Sequence, residues 1–294
     1  MTRPTYRYQR TIERPVQVQG TGYVTGATVR LRFVPAPPST GIIFVRTDLG
    51  PKAFLPATVD RVTGTHRRTT LGSPPLYVTI VEHVLASLAG LRIDNCFVEL
   101  NAPEPPGLDG SALAFVEALQ EAGTVLQTAR RAVWNADQEI TVQHEGATLT
   151  VHPDSGEQLR ISYLLDYGMT SPIVRQNHTV AVTPESFANE IAPCRTFLLE
   201  AEAHELRRHG IGVNTTVKDL LVFGPHGPLE NSLRFANEPA RHKVLDLVGD
   251  LALLGCDVRG RIIAYRSGHP LNVELVKKLV SQSTRLQTAQ RQAA

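Results

Sequence analysis

The chain reads as a mixed helix-and-strand protein built in two halves, and three observations lead there. Most of it alternates apolar and polar residues with the period of strands, broken by glycine and proline turns. A few segments instead carry apolar residues at spacings of three and four, as helices do. Two of these, EHVLASLAGLRIDNCFVEL and RHKVLDLVGDLALLGCDVRGRIIAY, share a plan: a histidine near a helix start, an apolar helix ending in glycine, then a strand. At 294 residues the chain has room for two domains of ordinary size. Halves built on one plan would face each other across a crevice, where sites tend to form.

Taken in order, TIERPVQVQG and ATVRLRFVPA alternate as strands on either side of the glycine turn GTGYVTG, and GIIFVRTD is another strand. PKAFLPATVDRVTGTHRRTTLG reads as short strands and turns. Val81 to Gly90 is a helix with Val81, Val84, Leu85, Leu88 and Ala89 on its apolar face, and residues 93–100 follow as a strand. In the proline-glycine loop NAPEPPGLDGSA, Asp109 and Ser111 are placed to cap the next helix, which Gly123 ends. The polar residues 124–131 look like a linker, and a second half begins near Ala132. It carries strand patterns in AVWNADQEITVQHE, GATLTVHPD, LRISYLLDY and QNHTVAVT. PESFANEIAP and an RTF turn lead to the helix LLEAEAHELRRHG and the strand VKDLLVFG. A helix over Arg241–Gly255, a strand in RGRIIAYRSGHP and a last helix, NVELVKKLVSQ, complete it, with a frayed polar tail over 282–294.

Composition narrows the function. Apolar content of 42% and charged content of 20% belong to a soluble globular protein. A net charge of +2 argues against a nucleic-acid binder. Cys96, Cys194 and Cys256 are odd in number and far apart, which suits a reducing cytoplasm and offers no CxxC zinc pair. The N-terminus lacks the apolar core of a secretion signal, and no apolar run nears the roughly 20 residues of a membrane span.

The chemistry is concentrated in Arg241–Gly255, RHKVLDLVGDLALLG. His242, Asp246 and Asp250 stand four apart on an otherwise apolar helix, so all three point along one side. Either they form a solvated polar stripe, or they are buried and hold something. His83, after Glu82 at the start of another apolar helix, and His269, on the glycine turn SGHPLN, are the other histidines with a case for chemistry. The remaining seven lie in polar strand, charged-helix or loop surroundings. Together the residues suffice for a zinc hydrolase, with His83, His242 and Asp246 as ligands and the fourth position left open. Glu82 would take the proton of the metal-activated water, and Lys243 would stabilise the oxyanion. His269, oriented by Asp250, would protonate the leaving amine.

The same segments resemble a known family. VEHVLASLAGLRIDN, NAPEPPGLDGSA, RTF, LRFANEPARHKVLDLVGDLALLG and SGHPLN, in this order between about Gln9 and Lys278, are similar to UDP-3-O-acyl-N-acetylglucosamine deacetylases, the zinc amidases of lipid A biosynthesis in Gram-negative bacteria. The resemblance implies an α+β fold of two similar domains, 1–127 and 132–294, each a helix layer on a sheet, with the helices between the sheets. It places His83, His242 and Asp246 on the zinc ligands and Glu82 on the general base. Lys243, Asp250 and His269 fall on other active-site positions, Thr196 on an oxyanion-stabilising threonine, and Phe197 on an aromatic beside the sugar. Residues 198–222 correspond to an insert that forms a passage for the acyl chain. The implied protein is a cytoplasmic monomer acting on an acylated UDP-sugar, with Zn²⁺, or Fe²⁺ in the cell, as its metal.

The sequence departs from the family at Val24, where GxGLHxG has its histidine, at Ile80 before VEH, at Asn214-Thr215 in the insert, and at Asn231-Ser232 before LRF. These bear on substrate positioning and acyl preference. They motivate one alternative, a paralogue that deacetylates another N-acetyl sugar. A second, from a different class, is a catalytically silent binder of nucleotide-sugar or lipid, against which the intact Glu82 and His269 argue.

Overall fold

A computed structural model describes residues 6–292. The first half opens with strands β1 (Arg7–Ile12), β2 (Val16–Thr21), β3 (Thr28–Pro35), β4 (Ile42–Arg46) and β5 (Phe54–Pro56). A small sheet of β6 (Val62–Gly64), β7 (Thr70–Ser73) and β8 (Leu76–Thr79) precedes α1 (Glu82–Gly90). Then come β9 (Cys96–Leu100), α2 (Leu113–Ala122) and β10 (Thr124–Arg131). The second half begins with β11 (Val133–Asn135), β12 (Ile140–His144), β13 (Ala147–His152), β14 (Leu159–Leu165) and β15 (Gln176–Ala181). A short helix, α3 (Pro184–Ser186), runs into a π turn and leads to β16 (Phe197–Leu199), α4 (Glu200–Arg208), β17 (Leu221–Gly224) and β18 (Gly227–Pro228). Helix α5 (Glu238–Ala252), β19 (Asp257–Tyr265) and α6 (His269–Gln292) complete the order.

The echo between the halves extends to whole sheets. One sheet has the order β2-β3-β9-β4-β5 and the other β12-β13-β19-β14-β15, with β11 added beside β19. In each, the strand after the central helix lies in the middle, antiparallel to one neighbour and parallel to the other. This is the α+β architecture the sequence predicts.

Strand alternation builds the faces. Along β3, Val29, Leu31 and Phe33 are buried while Thr28, Arg30 and Arg32 face water. Helices α1 and α5 pack on each other in the centre, α2 lies against β2, and α5 and α6 lie against the second sheet. A helix so placed has little exposed surface, which is why α1 is apolar nearly all round. A single core of buried residues runs through both halves. Among the described residues, no helix is long and apolar enough to cross a membrane.

Several elements differ from the sequence expectation. Residues 124–131 are not a linker but β10, paired antiparallel with β1 from Arg7↔Arg131 to Ile12↔Thr124. Its side chains are mostly outside the core, so apolar patterning could not announce it. Arg7 then joins Asp94 and Asp257 at 2.6 Å each, tying this ribbon to the start of β19. Helix α2 starts one residue later than the Ser111 cap implies. Ala112 is its cap, and Ser111 Oγ accepts from the Leu113 amide at 3.2 Å. Phe197 of the expected RTF turn opens β16, and SPPLYVTI, unassigned by pattern, contains β8. Helix α6 begins at His269 and continues to Gln292 through most of the stretch expected to fray. The readings that fall on residues 1–5 and 293–294 lie outside the described residues.

Candidate active site

The chain enters α1 through Ile80, held at φ = 56°, a left-handed conformation that strains a β-branched residue. The Thr69 carbonyl accepts the Val81 amide on the far side of this turn. The turn delivers Glu82 and His83 into the first turn of α1, where both are buried. Opposite them, His242, Asp246 and Asp250 are buried along α5. The solvated-stripe reading is thereby excluded.

His83, His242 and Asp246 form a group able to hold a metal ion, each offering one ligand atom within 4.8 Å of the others. The imidazole rings stand edge to face with centroids 5.0 Å apart. Their Nε2 atoms lie 3.7 Å and 3.3 Å from Asp246 Oδ1. His242 donates Nδ1–H to the Cys194 carbonyl at 3.0 Å, which leaves the Nε2 lone pair free toward Asp246. Burial disfavours a charged His83 and lowers its pKa, as a ligand requires. Burial works the other way on Asp246, but Lys243 and His242 outweigh it and hold the carboxyl well below the usual range. Two imidazoles and a carboxylate are a donor set suited to a divalent metal ion.

Beside this group lie a carboxyl and an imidazole of different character. Burial pushes the Glu82 pKa up to about 7. His269 resists burial because Asp250 and Glu82 favour its cation, and its pKa rises to about 9. His269 Nδ1–H donates to Asp250 Oδ2 at 2.8 Å, so Nε2 faces Glu82 Oε1 and Asp246 Oδ2, both at 3.9 Å. A base that ionises near neutrality and an acid that stays charged well above it make a suitable proton-handling pair.

The remaining residues close around this centre. Lys243 bonds Asp246 Oδ2 at 2.9 Å, and its ammonium lies 5.5 Å from the Phe197 ring centroid. Burial opposes that charge, yet Asp246 raises the Lys243 pKa above its ordinary value. Phe197 is edge-on to His242 at 6.1 Å and to Phe223 at 6.2 Å. The Thr196 main chain is pinned by the Gly110 carbonyl at 2.8 Å and the Leu221 amide at 3.0 Å. Its hydroxyl makes no hydrogen bond among the described residues, and the residue lines a cavity shared with Glu82 and His83. Arg195, just before it, is buried with two nitrogens on Glu238 at 2.8 and 3.0 Å, which ties the RTF segment to the start of α5. All nine residues singled out from the sequence thus come together.

Three contributors were not singled out from the sequence. Thr69 donates its hydroxyl to Asp250 Oδ1 at 2.6 Å and its amide to Glu82 Oε2 at 3.1 Å. Asn272 donates to Asp250 Oδ2 at 2.9 Å, and Cys194 acts through its carbonyl alone. Thr69 lies in THRRTTLG, where nothing in the pattern separates it from Thr70. Asn272, inside SGHPLN, stands three residues beyond His269 on α6 and could have been found from that spacing.

From the centre, an apolar cavity of about 140 Å³ extends between the β6–β7 turn and the segment around α4. Leu198, Ala203, Leu206, Ile211, Leu220 and Val222 line it. Arg67 and Glu202 bridge its two sides with an ion pair at 3.0 Å.

The bifunctional enzyme LpxC/FabZ of Chlorobaculum tepidum is 38% identical over 306 residues, covering 95% of this chain and 65% of that enzyme. The chain therefore spans about two thirds of that longer relative. The UDP-3-O-acyl-N-acetylglucosamine deacetylase of Trichormus variabilis is 37% identical over 280 residues, covering 94% of this chain and 99% of its own. That of Solibacter usitatus is 36% identical over 276 residues, with coverages of 93% and 92%. The family model for UDP-3-O-acyl N-acetylglycosamine deacetylase matches residues 9–281, and the chain belongs to that family.

Proposed function

We propose that the chain hydrolyses the N-acetyl group of a UDP-3-O-acyl-N-acetylglucosamine to the free amine and acetate, a step of lipid A biosynthesis. The observation that carries the reading is one buried cleft holding the His83–His242–Asp246 donor set beside Glu82 and an Asp250-oriented His269. A structural metal site would need neither of the last two. Zinc is the assigned ion. The donor set suits it, and its intrinsic affinity exceeds that of Fe²⁺, which availability could substitute in the cell. When bound, it supplies Lewis-acid polarisation of water and of the amide carbonyl.

The protein's own residues do the rest. Glu82, through the oxygen that Thr69 leaves free, takes a proton from the attacking water. Lys243 Nζ and the Thr196 hydroxyl donate to the oxygen on which negative charge develops. His269 Nε2 gives its proton to the departing nitrogen as the C–N bond breaks, and the products are acetate and the amine. Phe197 covers the sugar side and shields the ligands. The apolar cavity between the β6–β7 turn and residues 198–222 receives the acyl chain. We further assign domains 1–127 and 132–294, a monomer and a cytoplasmic setting.

The test is acetate release from UDP-3-O-acyl-N-acetylglucosamine by metal-loaded protein, with and without chelator. Chelator-sensitive release supports the reading. No release from protein holding one metal per chain overturns it.

A further inference from the structure

We propose that Thr69 is a positioning residue that sets both ends of the proton-transfer pair, a role that rests on the functional reading above. It is fully buried at the end of the β6–β7 turn, immediately before β7, and belongs to neither central helix. Its hydroxyl donates to Asp250 Oδ1 at 2.6 Å, while Asp250 Oδ2 is taken by His269 Nδ1–H at 2.8 Å and Asn272 at 2.9 Å. Both oxygens of Asp250 are therefore occupied, and the carboxylate cannot rotate without breaking a bond at each end. The His269 ring is held through it, with Nε2 aimed at the cleft. The Thr69 amide takes Glu82 Oε2 at 3.1 Å and leaves Oε1 facing His269 Nε2 at 3.9 Å. One residue thus decides which Glu82 oxygen is free and how the opposing imidazole is turned.

The residue is itself braced. Its carbonyl accepts the Val81 amide, and next to it Thr70 Oγ1 meets Thr79 Oγ1 at 2.7 Å across the hairpin. Side chain and main chain act on different partners, so substitution separates them. Thr69→Val keeps the shape and the amide bond to Glu82 and deletes the hydroxyl's bond to Asp250 together with its 3.3 Å contact with His269 Nδ1, both of which hold the imidazole. Thr69→Ser keeps both.

The experiment compares Thr69→Val and Thr69→Ser with the unsubstituted chain, all metal-loaded, by steady-state acetate release. In the metal-free proteins it also records the His269 Nδ1–H signal by nitrogen-detected imidazole NMR. For Thr69→Val the expected result is a kcat lowered about 10- to 100-fold with KM within about twofold, the size of a lost hydrogen bond to a charged group. Thr69→Ser should stay within about threefold in both constants. The imidazole signal should move in the valine variant and hold in the serine variant. Unchanged kcat in Thr69→Val, equal losses in both variants, or an unmoved imidazole signal overturns the assignment. If the unsubstituted chain releases no acetate, the functional reading falls and the imidazole signal alone decides the positioning claim.

Discussion

Gly249 of α5 lies against the main-chain carbonyl of Glu82 on α1, so close that a Cβ built on it would sit 2.1 Å from that oxygen. The two helices meet backbone to backbone at this point. That approach is what allows His83, one residue beyond Glu82, to share a ligand group with His242 and Asp246. Gly249→Ala must push the helices apart or bend one of them. Overpacking of this kind costs about 1–3 kcal/mol, and the backbone contact places it at the upper end. We expect a melting temperature lower by several degrees and a weaker metal affinity, since the donor atoms move with the helices. Calorimetry with and without added zinc measures both. An unchanged melting temperature would contradict the contact.

Removing a ligand separates binding from chemistry. Asp246→Ala takes away a carboxylate oxygen that both imidazoles face and also strands Lys243, which bonds the other oxygen at 2.9 Å. The purified variant should contain far less than one zinc per chain by metal analysis, and it should release no acetate. Full loading would show that Asp246 is not a ligand.

Substitution at the acid–base pair should do the opposite. Glu82→Ala and His269→Ala each leave the His83–His242–Asp246 group in place, so zinc should remain bound while acetate release falls by at least about 10²-fold, the ordinary size of a general acid–base contribution. Turnover near that of the unsubstituted chain in either variant rules out the assigned role.

What could be read before the structure follows from periodicity. His242, Asp246 and Asp250 were legible as a set because helical spacing puts residues four apart on one side, though the pattern alone leaves a solvated stripe open. His83 and Glu82 were legible for the same reason on α1. The shared plan of α1–β9 and α5–β19 was visible, but the identical strand order of the two sheets was not, because register is set by long-range pairing. Thr69 was hidden because its partners lie 13 and 181 residues away. His178 was read as a polar strand position, yet it is buried on β15, and burial lowers its pKa to about 4. Local pattern could not tell which face of that strand turns inward. Strand β10 escaped because its pairing with β1 is made by the main chain, which polar side chains do not betray.

The pH dependence follows from the opposite characters of Glu82 and His269. Burial raises Glu82 to about 7, and a base must be ionised to act, so the rate should climb as pH rises through that region. A bound cation would favour the carboxylate, which sets about 7 as the upper limit for this limb in the metal-loaded protein. His269 is raised to about 9 because Asp250 and Glu82 outweigh the burial that opposes its charge. An acid must carry its proton, and a bound cation would disfavour the charged imidazole, so in the metal-loaded protein the rate should fall at or below that value. The expected profile of kcat/KM is a bell with its plateau between the limbs. Stability carries the same sign for the imidazole. Protonated His269 stabilises the fold fully below its unfolded pKa, roughly 6.5, and that contribution is lost as pH rises through about 9. Glu82→Gln should abolish the ascending limb from what rate remains and keep the descending one. An ascending limb at the same pH in that variant would move the base function to another group.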